Sequence, residues 1–152
     1  MEINGDEKAS VVTKNVTITF SDSSKIISQI SAPIRKDYLS ENSFSDFTEG
    51  ITLILYDNTQ LPATTLKANY GRIWQKTGML TVKGDVELTS KNGGRLLTQE
   101  LIWDNKSKII KTGKPIQIID NKRMLTGQGL IADEKFENYQ ILLPTGVISI
   151  AD

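Results

Sequence analysis

A strand-like segment returns along this chain at nearly regular intervals. The five copies open at Val16, Ile51, Val86, Ile116 and Val147, so successive starts lie 35, 35, 30 and 31 residues apart. A period in this range marks a stacked architecture, in which each unit buries its apolar face against its neighbours. Each copy alternates apolar and polar residues with period two, as in Val16-Thr-Ile-Thr-Phe20 and Ile51-Thr-Leu-Ile-Leu55. Such alternation gives a strand one wet and one dry face. The fifth copy, Val147 to Ile150, runs into the end of the sequence. A last strand of this kind would present unpaired backbone donors and acceptors.

Polar turns follow four of these segments: Ser21–Ser24, Asp57–Thr59, Lys91–Gly94 and Asp120–Lys122. Asn, Asp and Gly supply the positive φ and side-chain caps that short hairpins need. Returning strands are expected at Ile30–Ala32, Leu66–Tyr70, Leu97–Leu101 and Leu125–Gly129. Breakers precede each later start, at Gly50, Gly84-Asp85, Gly113-Lys-Pro115 and Pro144-Thr-Gly146. Helical periodicity is confined to one turn at most, within Asp133–Tyr139. The fold class expected is all-β and antiparallel, with about ten to fifteen short strands. Residues 1–10 read as a flexible N-terminal segment and 11–152 as one domain, since 152 residues suffice to bury a single core.

Composition removes several function classes. Eighteen basic and eighteen acidic residues cancel and are scattered, which argues against a nucleic-acid partner. Histidine and cysteine are absent, so a Cys/His zinc site, a thiol nucleophile and an imidazole base are excluded. Gly127-Gln-Gly129-Leu-Ile-Ala132 has the form of a dinucleotide fingerprint, which needs a following helix and a later acidic residue on a second strand, but Asp133-Glu-Lys-Phe-Glu-Asn follows and the chain ends about twenty residues later. Two glycines at alternate strand positions fit a bulge or a close backbone approach better. No enzyme and no cofactor is expected.

The large apolar residues instead define a candidate interior: Ile18, Phe20, Leu53, Leu55, Leu66, Tyr70, Val86, Leu88, Leu97, Leu101, Ile116 and Ile118. They either fill it, as in small jelly rolls, or leave room for hydrocarbon chains. Trp74 and Trp103 read as repeated packing anchors or as an aromatic lip to a ligand groove.

Several of these segments carry a family pattern. Gly50-Ile51, Tyr56-Asp57, Leu66-Lys-Ala68-Asn-Tyr70-Gly71, Leu97-Thr98-Gln-Glu100-Leu101-Ile-Trp103-Asp104 and Gly127-Gln-Gly129 appear in order. Together they make Val11 to Ile150 resemble the LptC family of lipopolysaccharide-export proteins. The resemblance implies a twisted, open β-jellyroll in the periplasm, held to the inner membrane by an N-terminal segment that would lie upstream of this chain. It implies as partners lipopolysaccharide, the inner-membrane ABC transporter subunits and the bridge protein LptA. On this reading the interior residues above, with Trp103, line the lipid groove. Val147, Ile148, Ser149 and Ile150 form the edge that docks the next protein. The alternatives are an LptA-like soluble bridge and a carbohydrate- or protein-interaction domain with a filled core.

Overall fold

The computed structural model describes residues 9–149. Eleven strands form one antiparallel sheet: β1 (Val11–Asp22), β2 (Lys25–Tyr38), β3 (Phe44–Phe47), β4 (Ile51–Tyr56), β5 (Pro62–Ala68), β6 (Tyr70–Trp74), β7 (Met79–Ser90), β8 (Arg95–Asp104), β9 (Ile109–Asp120), β10 (Arg123–Asp133) and β11 (Tyr139–Ser149). Among the described residues there is no helix, and residues 134–138 form the turn that joins β10 to β11.

Two long strands fold this sheet over on itself. One edge of β2 pairs with β1 along its length, while its other edge serves β4 at Ser28–Ser31 and then β3 at Lys36–Tyr38. β7 likewise pairs with β8 on one edge, and with β6 and then β5 on the other. β4 and β5 therefore belong to one layer and β3 and β6 to a second, and the ring β2-β4-β5-β7-β6-β3 encloses the core. From this ring the sheet runs out to β1 on one side and through β8, β9 and β10 to β11 on the other. β1 and β11 are its two edges, and the result is a jellyroll with open sides.

The long strands pass from one layer to the other at residues that tolerate a bend. Gly84 and Asp85 both have positive φ, 83° and 46°, and the β7–β8 register slips between Lys83 and Val86. Further slips fall between Thr98 and Ile102 in β8 and between Gln128 and Leu130 in β10. Each is a bulge, which sharpens a strand's twist and bends it. Gly127 is needed at one of these corners: a Cβ there would strike the Ile141 side chain and lie 2.8 Å from the Leu143 carbonyl oxygen.

The breakers seen in the sequence thus have a different role from the one expected. Gly84-Asp85, Gly113–Pro115 and Pro144–Gly146 lie inside continuous strands, at corners, and of these breakers only Gly50 stands outside a strand, in the connection from β3 to β4. Val86, Ile116 and Val147 are where β7, β9 and β11 enter the first layer. The repeat is therefore a pair of long bent strands, and seven of the eleven strands have ten or more residues.

Candidate functional site

The inner face follows from the register, because residues paired across antiparallel strands point to the same side. Leu53, Leu55, Leu66, Val86, Leu88, Leu101, Trp103, Ile116 and Ile118 all belong to one buried apolar cluster between the layers. Ile18 pairs with the fully buried Ile30 and packs against the same cluster. Phe20 pairs with buried Ser28, so it faces inward, yet it is 38% exposed because β1 is an edge.

Two expected members of the interior lie elsewhere. Leu97 is flanked by Leu96 and Thr98, which are the buried residues of that half of β8. The bulge before Ile102 inverts the alternation, so Leu97 and Leu101 occupy opposite faces. Tyr70 was expected on one strand with Leu66, but the chain leaves β5 at Asn69, whose amide donates to the Gly84 carbonyl. In β6 it is Gly71 that packs inward against Ile51 and Val82. The Tyr70 hydroxyl turns outward and donates to Asp46 Oδ1 at 2.8 Å.

That outward side of β3 and β6 carries a tight polar and aromatic network. Arg72 donates from Nε and Nη2 to the two oxygens of Asp46, at 2.7 and 3.0 Å. Its guanidinium lies 4.2 Å from the Phe44 ring centroid, and Phe44 packs in turn against Tyr38 and Trp74. Burial, then the hydrogen bond to Asp46, pushes the Tyr70 phenol up to about 12. Trp74 is thus a half-buried packing residue. Trp103 is 4% exposed, and its indole N–H donates to Glu134 Oε2 at 2.9 Å. Both tryptophans anchor packing, and neither forms an exposed aromatic platform.

The interior is apolar and nearly full at its centre. A void of about 10 Å³ remains between Leu53, Leu55, Thr64, Leu66, Leu88, Leu101, Trp103 and Ile110. That is at the limit for one water molecule. Toward β11 the same face opens. Ile118, Leu125 and Val147 form one lateral row, and exposure rises along it from 0% at Ile118, through half-buried Leu125, to 66% at Val147. Ile148 points to the opposite face and is 55% exposed, and Ser149 closes the strand. Ile150 lies outside the described residues. Among the described residues β11 pairs only with β10, and no strand pairs with its far edge.

Three basic residues beside the turns are matched by carboxylates. Lys91 meets Asp57 at 3.2 Å, Arg95 meets Glu87 at 3.2 Å and Arg123 meets Asp120 at 3.7 Å. Hydrogen bonds from Thr59 and the Leu61 amide hold the Asp57 carboxyl well below the usual range. The corner of β7–β10 forms a separate groove of about 570 Å³ on the outer face, with Asp85, Glu87, Gln99 and Gln117 among its walls. Among the described residues no group of histidine, cysteine, aspartate or glutamate is placed to hold a metal ion. Among the described residues no helix is long and apolar enough to cross a membrane.

Sequence reasoning missed part of the interior. Leu80 and Val82, at the parity of Val86 and Leu88, were legible as alternating residues, whereas the place of Leu96 depended on the bulge before Ile102. Phe136, in the β10–β11 connection, had no periodic signal at all, yet it joins the buried cluster.

Comparison with known proteins gives the geometry its context. No individual curated protein matches this chain. The family model described as "Lipopolysaccharide-assembly, LptC-related" matches residues 2–143, which covers β1 to β10 and the first part of β11. The chain therefore belongs to the LptC family, and its role lies in lipopolysaccharide transport.

Proposed function

We propose that this domain receives lipopolysaccharide from an inner-membrane ABC transporter, shelters its acyl chains between the two layers, and passes them to the bridge protein LptA. Family membership supports the transport role. The observation that carries the rest is the row Ile118–Leu125–Val147, apolar throughout, opening steadily toward an unpaired strand edge.

The physical need is large. Each methylene withdrawn from water contributes about 0.8 kcal/mol, so one chain of about a dozen carries roughly 10 kcal/mol. An apolar face offsets this without covalent chemistry. Strand addition at β11 would extend that face into the next protein, with main-chain hydrogen bonds supplying affinity.

Two exposed neighbours on opposite faces make the test. Val147→Asp puts a charge on the inner face and is expected to lower lipopolysaccharide retention about tenfold. Ile148→Asp, on the outer face, should leave retention near that of the parent protein. Equal losses would remove the assignment of faces. Ile148→Pro probes the edge itself, and undiminished association of that variant with LptA would place the docking surface elsewhere.

A further inference from the structure

The connection between β10 and β11 does more than reverse the chain. Its residues reach across from one layer to the other and are pinned on both. The Glu134 carbonyl accepts from Thr64 Oγ1 at 3.1 Å, on β5 in the first layer. The Glu134 carboxylate accepts from Trp103 Nε1, on the second-layer half of β8. Thr64 and Trp103 both line the central void, so one residue ties together the two walls of the interior.

Neighbouring contacts repeat the pattern. Phe136 enters the apolar cluster, stacks on Tyr139 at 5.1 Å, and lies against the turn at Gly94. The Tyr139 hydroxyl donates to Asp120 Oδ2 at 3.2 Å, in the first-layer end of β9. The segment keeps this shape by itself. The Asp133 carboxylate accepts from the amides of Lys135, Glu137 and Asn138, and Phe136 sits at a φ of 56°.

We propose that Asp133–Asn138 is a strap closing the mouth between the layers, and that it must lift for an acyl chain to enter sideways. The proposal rests on the reading of the interior as a lipid path. It accounts for a difficulty in that reading: with the strap in place the centre holds no more than about one water molecule. The latch is small: Glu134 hydrogen-bonds Thr64, Trp103 and the Lys108 carbonyl and pairs with Lys108 Nζ, and one ring inserts, so opening is local and leaves the sheet ladders intact. Closure of this kind is a familiar way to admit and then sequester a ligand.

The absence of cysteine makes the test clean. Asn92 and Glu137 are exposed, line one shared surface groove, and belong to the first-layer turn and the strap respectively. A protein carrying Asn92→Cys and Glu137→Cys is joined by a short reducible bis-thiol linker, and uptake of fluorescent lipopolysaccharide is timed. The linked form should load about tenfold more slowly, with the rate restored by reduction. Glu134→Ala, which frees the Trp103 indole, should load several-fold faster than the parent. Equal loading of linked and reduced protein overturns the strap while leaving the lipid path standing, with entry along the open edges. Failure of both forms to load overturns the lipid path and the strap with it.

Discussion

The centre of the jellyroll and its two edges are built from the same alternating strands, yet they do opposite things with them. In β4, β5, β7 and β8 the inward residues are almost wholly buried, with Leu88 and Leu96 at 0%. In β1 and β11 the equivalent positions, Phe20 and Val147, stand open to solvent. The pattern of residue types is the same in both places, and only the number of neighbouring strands differs. A central strand is flanked on both sides and faces a second layer, whereas an edge strand lacks one neighbour. The centre thus provides stability, and the edges leave apolar surface exposed.

Substitutions should separate the two regions sharply. Leu101→Ala, in the centre, removes a side chain from a nearly void-free cluster and should cost about 2–5 kcal/mol in urea unfolding. A loss below about 1 kcal/mol would mean that the centre is loosely packed and the contrast false.

Alkali offers a second, smaller separation. The buried apolar cluster contains no ionisable side chain, so any alkaline sensitivity must come from outside it. Tyr70 has its folded pKa raised from 10.0 to about 12, because burial and Asp46 disfavour the phenolate. The folded state therefore binds this proton more tightly than the unfolded state. Its stabilising contribution is complete below pH 10.0 and is lost as the pH rises toward about 12. Tyr70→Phe should flatten the fall in thermal midpoint across that window, and an unchanged fall would assign it to another group.

The smallest effect belongs to the edge. Phe20→Ala should change stability by less than about 1 kcal/mol, since its partly exposed ring lacks a covering layer. A loss equal to that of Leu101→Ala would show that β1 is part of the centre.

Much of this architecture could be read from the sequence, and the failures have identifiable physical causes. Alternation gave the strands and nine of the buried interior residues, because a period of two assigns faces wherever a strand is regular. It failed at Leu97, where a bulge inverts the faces, and at Tyr70, where the chain changes layer at Asn69. Glycine and proline were read as strand ends, although in β7, β9 and β11 they are corners within one strand. Both signals look alike locally, and only long-range pairing separates them. The strap was invisible for a related reason: its contacts are distant in sequence, Phe136 lying against Gly94, 42 positions away, and Glu134 being held by Thr64, 70 positions away.

The central claim is that the inward face of this sheet carries the acyl chains. It is tested most directly by placing a photo-crosslinking amino acid at Leu53, Leu101 and Ile118, and at the opposite-facing Ile54, Ile102 and Gln117, in cells exporting lipopolysaccharide. The account predicts lipopolysaccharide adducts at the first three positions and a background signal at the others. Equal labelling of both sets, or labelling of the outward set alone, would contradict it.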